Sequence, residues 1–245
     1  MDPREYALMD AAEGHMWWYR ALQVRLADAL DGVQGRVLVA GCGSGGLLAV
    51  LERLAPSLDL VGLEWAEAPA RRAREKSSAA LARGSINTLP FAGGSFDAVI
   101  AADVLCHREV DPLLALAEIH RVLRPGGRLV VNMPAYAWLA SAHDRRVHNA
   151  RRWTARHTGA VLRLAGFGEV RARYWNGLLL PLMVVQRKLL ARGEDAASDV
   201  ASFSPWLDAT LHAITVIERR LAIPLPAGGS VLATAIRPPE QRPPA

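Results

Sequence analysis

Arg36-Val37-Leu38-Val39-Ala40-Gly41-Cys42-Gly43-Ser44-Gly45-Gly46 is the stretch whose reading decides the fold. Val37 to Ala40 form an apolar run suited to a central parallel strand covered on both faces. Gly41, Gly43, Gly45 and Gly46 follow at once, and Leu47 and Leu48 open a helix over 46–54. Glycines let the chain turn sharply and let a ligand approach main-chain N–H groups that a Cβ would shield. The helix offers its N-terminus to a polar or anionic group. A Gly-x-Gly-x-Gly turn serves a dinucleotide, a sulfonium cofactor or tight packing, so its surroundings decide. Glu64 ends the next apolar run, 58–63. It stands about 20 residues on, where a ribose-binding carboxylate belongs in this architecture.

Working outward, residues 36–134 alternate strand and helix. Strands are expected at 36–40, 58–63, 83–86, 97–102 and 128–133, and helices at 46–54, 66–82 and 112–123. Two more strands are expected at 169–175 and 229–236. Thr154 reads as the N-cap of a helix to about Ala165. The pattern predicts an α/β fold: a doubly wound, mostly parallel seven-stranded sheet of Rossmann-like type with a helical cap insertion. The expected organisation is an N-terminal helical lid (1–35), a core (36–175), a cap (176–226) holding helices at 178–191 and 205–221 joined by a polar stretch at 193–204, the last core strand (227–237) and a disordered tail (238–245). Ligands in such sheets bind beyond the carboxyl ends of the strands. The glycine turn, Glu64, Ser85–Ile86 and 102–107 all fall there, so distant segments converge on one crevice.

The 245 residues suit one large α/β domain. The net charge of +5 is mild, and the arginines are dispersed rather than gathered in one block. No nucleic-acid partner is therefore expected. Cys42 and Cys106 lie far apart and form no paired motif. This fits a reducing cytoplasm and predicts neither a disulfide framework nor a metal site. The polar N-terminus does not read as a signal peptide. The apolar stretch 177–185 is broken by Pro181 and is too short to span a bilayer, which leaves only peripheral membrane contact open.

Three segments carry a resemblance: Val37-Leu-Val-Ala-Gly-Cys-Gly-Ser-Gly45, Leu89-Pro-Phe-Ala-Gly-Gly-Ser-Phe-Asp97, and Leu116-Ala-Glu-Ile-His-Arg-Val-Leu-Arg-Pro-Gly-Gly-Arg-Leu-Val-Val131. With them the chain resembles the class I S-adenosylmethionine-dependent methyltransferases, in their bacterial small-molecule branch. The resemblance implies S-adenosyl-L-methionine as cofactor. It implies that the backbone of Gly41, Gly43 and Gly45 passes the methionine part, that Glu64 binds the ribose hydroxyls, and that Trp65 and Ile86 pack on the adenine. Ser85 would stand near the adenine amino group, and the Ala102 carbonyl would face the methionine ammonium. Arg20, in the aromatic segment Trp17-Trp18-Tyr19-Arg20, would lie near the cofactor carboxylate, with the rings as a lid. The chain departs from the family pattern at Val39 and Ser85, where acidic residues are common. It also carries one extra residue before Arg151-Arg152-Trp153-Thr154.

The implied activity is methyl transfer to a small-molecule substrate, a specialised metabolite or lipid-linked compound, by a monomer or homodimer. A base is needed if the acceptor is a hydroxyl or carbon acid. The candidates are His107, His143 and Asp144. Each also reads as a packing or capping residue. Arg151 and Arg152 could bind an anionic substrate or serve in ion pairs. Three other readings stay open. NAD fits a strand, glycine turn and acidic residue. A protein that binds the sulfonium cofactor without transferring methyl shares the fold. A nucleic-acid methyltransferase would want a contiguous basic groove.

Overall fold

The computed structural model describes residues 3–187, 203–221 and 223–239. The helix expected beyond Arg187, most of the polar stretch before Phe203 and the tail from Glu240 lie outside the described residues.

Seven strands form one sheet: β1 (Arg36–Ala40), β2 (Asp59–Glu64), β3 (Ala80–Arg83), β4 (Phe96–Ala102), β5 (Leu123–Pro134), β6 (Gly168–Trp175) and β7 (Ser230–Ile236). Their order is β3-β2-β1-β4-β5-β7-β6. β7 runs antiparallel to both β5 and β6, and every other pairing is parallel. The helices are α1 (Pro3–Ala12), α2 (Trp17–Ala29), α3 (Gly46–Leu54), α4 (Glu67–Lys76), α5 (Pro112–Val122), α6 (Ala142–Arg146), α7 (Ala155–Leu164), α8 (Leu180–Val185) and α9 (Pro205–Leu221).

The apolar runs become central strands because both faces of the sheet are covered. Alternation sorts their side chains into two cores. Leu38, Ala40, Val99, Ala101, Leu129 and Val131 share one, while Val37, Val39, Ala98, Ile100 and Val130 share the other. From β1 the chain builds β2 and β3 on one side, then crosses to β4 and β5 on the other. The switch point therefore lies between β1 and β4, at their carboxyl ends, where ligands of this architecture bind.

Several boundaries differ from expectation, and β5 begins at Leu123 rather than 128. The helix expected over 66–82 ends at Lys76, because the Ser77 hydroxyl and the Ser78 N–H both reach Glu52, at 2.9 and 2.8 Å, and draw the chain into an extended path. The strand expected at 83–86 is accordingly β3 at Ala80–Arg83, with Ser85 and Ile86 in the turn beyond its end. The loop expected after Pro134 contains α6. Asp144 accepts from the Ser141 N–H at 2.7 Å and closes a capping box at its start. Thr154 caps α7 as expected, accepting from the His157 N–H at 3.1 Å.

Among the described residues, three ion pairs join α2 to α9. Arg20 pairs with Asp208, Arg219 with Asp28, and the buried Arg25 with Glu218. Glu218 also accepts from the N–H groups of Asn176, Gly177 and Leu178, at 2.6, 2.7 and 3.0 Å. α2, α9 and the end of β6 are thus pinned together. No helix among the described residues is long and apolar enough to cross a membrane.

Candidate cofactor site

A cavity of about 900 Å³ opens at the carboxyl ends of β1, β2 and β4, roofed by α1 and α2. Ligand pockets typically span roughly 300–1,000 Å³. Gly41, Gly43, Glu64, Trp65, Ser85, Ile86, Ala102, His107, His143 and Asp144 all line it. Among the expected site residues, Gly45 and Arg20 do not.

The glycines divide the work. Gly43 adopts φ +56 with open space where a Cβ would point, so its backbone faces the cavity. A Cβ on Gly45 would come within 2.7 Å of the Ala73 backbone, so this glycine lets α3 approach α4. Glu64 ends β2 almost fully buried, at 7% exposure. One carboxylate oxygen accepts from the Gly43 N–H at 3.0 Å and the other from the Ala66 N–H at 2.9 Å. Burial pushes its carboxyl above the usual range, and the Ala66 and Gly43 N–H groups pull it back. A fixed carboxylate therefore spans the glycine turn and the start of α4. Beside it Trp65 is 72% exposed, its indole projecting at the cavity rim. Ile86 is buried against the core.

Asp103, which the sequence reading did not single out, stands where β4 ends at the switch point. Its backbone is left-handed, at φ +53, a conformation that Asp tolerates better than most residues. The Asn132 amide of β5 donates to both of its oxygens, at 3.0 and 2.9 Å. Trp175 Nε1 in turn donates to Asn132 Oδ1 at 2.8 Å, which fixes the amide's orientation. Burial pushes the Asp103 carboxyl up to about 6, against the Asn132 hydrogen bonds that lower it.

The expected bases have different surroundings. Asp144 is held by Arg152 through bonds of 3.0 and 2.9 Å, and also accepts from Ser141. Despite burial, the Arg152 guanidinium keeps its carboxyl below the usual range. That makes it a brace more than a proton acceptor. His143 on α6 lies 3.5 Å from Glu5 of α1. Burial lowers His107, whose ring bonds the Val147 carbonyl. Arg151 donates to the carbonyls of His107 and Val110, so both arginines of this pair serve the framework. Arg20 bonds Asp208 of α9 and is not among the residues that line the cavity. Glu13, over the glycine turn, accepts from Ser44 at 3.0 Å and Lys76 at 2.5 Å. Among the described residues, the cavity-lining atoms Trp17 Nε1 and Asn176 Oδ1 are buried without a hydrogen-bond partner. Among the described residues there is no cluster of metal-ligating side chains.

Comparison with known proteins agrees with this geometry. Residues 38–131 match the family described as a methyltransferase domain. The chain is 36% identical over 160 residues to an uncharacterized 37.1 kDa protein in transposon TN4556 of Streptomyces fradiae, covering 63% of this chain and 46% of that one. It is 36% identical over 120 residues to a demethylmenaquinone methyltransferase of Thermus thermophilus, covering 47% and 52%. The chain thus spans about half the length of these curated relatives. A solved SAM-dependent methyltransferase from Thermotoga maritima shares the fold, with a TM-score of 0.62 at 18% identity over 96% of this chain and 95% of that one. Residues 38–131 thus carry a methyltransferase domain, and the seven-stranded sheet with its switch-point cavity has the fold of a solved SAM-dependent methyltransferase.

Proposed function

We propose that the cavity binds S-adenosyl-L-methionine and that the chain transfers its methyl group to a small, largely apolar acceptor. In this reading Glu64 accepts from the ribose hydroxyls, and Trp65 and Ile86 sandwich the adenine. The open backbone at Gly43 lies along the methionine part. When bound, the cofactor supplies an electrophilic methyl on a sulfonium. The protein's own contribution is alignment and exclusion of water. His107, kept neutral near pH 7 by burial, accepts the acceptor's proton where one must leave.

One observation carries the acceptor's chemistry. The cavity continues past the glycine turn between walls of Met9, Met16, Trp17, Met183 and Phe203, with the orphaned Trp17 indole Nε1–H and Asn176 side-chain Oδ1 among them. Buried polar groups without partners cost stability unless a ligand meets them. An apolar molecule with a polar head suits that space. The Thermus relative is named for such a methyl transfer, to demethylmenaquinone.

Calorimetry with S-adenosylhomocysteine on wild type and Glu64→Ala tests the cofactor half. Unchanged affinity in the variant overturns the ribose assignment. Incubation with methyl-labelled cofactor and a panel of apolar phenols, quinols and acids tests the acceptor half. Label transfer that Trp17→Phe slows, with cofactor affinity unchanged, supports the reading. Tight cofactor binding with no product from any acceptor favours a purely binding role.

A further inference from the structure

The arginines are dispersed along the sequence, but four of them meet in space. A groove of about 440 Å³ lies between α7 and the outer edge of the sheet, away from the cofactor cavity. Arg156 and Arg163 of α7 and Arg171 and Arg173 of β6 line it, and no carboxylate does. All four arginines are exposed, and among the described residues none of them has a hydrogen bond or an ion pair. Their neighbours offer no charge to meet them. Arg171 and Arg173 stand opposite Thr234 and Leu232 of β7, and α7 carries no acidic residue. Glu169 sits at the irregularity between Gly168 and Arg171 and does not line the groove.

β6 is the last strand of the sheet. The N–H and C=O groups of alternate residues therefore face away from β7. A bridge from Leu225 closes this edge at Tyr174, which leaves 170–173 open among the described residues. Val170, Ala172 and Tyr174 pack on the core that α7 covers. Alternation turns Arg171 and Arg173 to the other face, the side on which Trp175 is packed. The arginines thus flank the open edge from both faces of the sheet. Gly159 keeps the α7 side open, because a Cβ there would come within 3.2 Å of the Arg163 guanidinium and 3.9 Å of Ala172 Cβ.

We propose that this edge receives an extended acidic segment of a partner protein. The segment pairs its backbone with β6 and sets carboxylates among the arginines on each side. Charge and shape select that occupant. A second copy of this chain would bring the same arginines to the edge, and like charges across a strand pair repel. A compact anion reaches the arginines of one face, whereas an extended chain sends alternate side chains to both.

The probe is a short fluorescent peptide repeating two glutamates and two threonines, titrated with the full chain and read by anisotropy. Wild type should bind it, and more weakly as salt rises. Arg163→Glu with Arg173→Glu, one arginine from each face, should weaken binding roughly 10-fold or more. Arg163→Gln with Arg173→Gln removes charge without reversing it and should give a smaller loss in the same direction. Melting curves matching wild type show that these variants are folded. Proline in place of every threonine keeps the peptide's charge but removes ladder donors, and should weaken binding by roughly 10-fold as well. No binding of the acidic peptide by wild type overturns the proposal and leaves the arginines as a guard on the edge. Unchanged binding in both double variants overturns it too. Equal binding of the proline peptide overturns the strand pairing. Displacement of the peptide by inorganic triphosphate or single-stranded DNA at equal concentration overturns it in favour of a phosphate ligand.

Discussion

Arg152 grips Asp144 with both arms of its guanidinium, at 3.0 and 2.9 Å, and the two side chains are only 7% and 5% exposed. Arg152 also donates to the Ala135 carbonyl, so the pair locks α6 to the end of β5 beside the cavity. Removing one partner leaves the other as a buried, uncompensated charge, which costs roughly 3–5 kcal/mol. Asp144→Ala should therefore lower the melting temperature by about 10 °C, at 2–4 °C per kcal/mol for a chain of this size. The carboxyl is held below its ordinary value, so its contribution is present near neutrality and disappears as pH falls through the folded-state value. The wild-type and variant melting curves should converge in acid. A melting temperature unchanged at pH 7.5 would remove the bracing role and restore Asp144 as a candidate base.

Trp65 presents the opposite situation. Its ring is 72% exposed at the cavity rim, so the fold gains little from it. Trp65→Ala should change stability by about 0.5 kcal/mol or less. A stacked purine is worth about 0.5–1.5 kcal/mol beyond buried area, so affinity for S-adenosylhomocysteine should fall by roughly 3- to 10-fold. Calorimetry and melting curves on the same sample separate the two effects. A large drop in melting temperature with affinity intact would show an indole that serves packing.

Local signals were legible where one short segment settled its own conformation. Thr154 caps α7, the glycine turn follows β1, and Glu64 ends β2, because each depends on neighbours a few residues away. The parallel order followed from apolar runs alternating with amphipathic ones. What the sequence hid depends on partners far along the chain. Asp103 is unremarkable in Ala102-Asp103-Val104 and gains its meaning from Asn132 and Trp175. Arg20 was expected at the cofactor, but Asp208 lies 188 residues away in sequence and next to it in space. The end of α4 was misjudged for the same reason, since Glu52 draws Ser77 and Ser78 away from a helical path.

Asp103 also predicts an unusual pH dependence for the ligand-free protein. Its folded value of about 6 stands above the ordinary 3.8, so the folded state holds its proton more tightly than the unfolded chain. The sign follows: this group's contribution is full below pH 4 and is lost as pH rises through about 6. At pH 8 the buried charge then costs the ligand-free fold on the order of 2–3 kcal/mol, at 1.36 per pKa unit. Asp103→Asn should therefore melt several degrees above wild type at pH 8 and close to it at pH 4.5. A variant less stable than wild type at both pH values would show a carboxylate already compensated.

Glu218 tests whether lid and cap form one unit. It reaches across from α9 to accept three successive main-chain N–H groups after β6 and the guanidinium of Arg25, which itself lies 4.7 Å over the Trp175 ring. Asn176, at the start of this run, is held at φ +59. Glu218→Ala would remove the acceptor of the three N–H groups and leave the Arg25 guanidinium only the Ala21 and Thr215 carbonyls. The loss should approach the roughly 3–5 kcal/mol of a broken buried pair, and hydrogen exchange at 176–178 should accelerate with it. Arg25→Met alone removes the cation but leaves the carboxylate its three N–H partners, so it should cost less. If the pair acts as one joint, the double variant should cost less than the two single losses added together. Strict additivity would mean that Glu218 holds the turn after β6 by itself, with α2 resting on α9 through Arg20–Asp208 and Arg219–Asp28 instead.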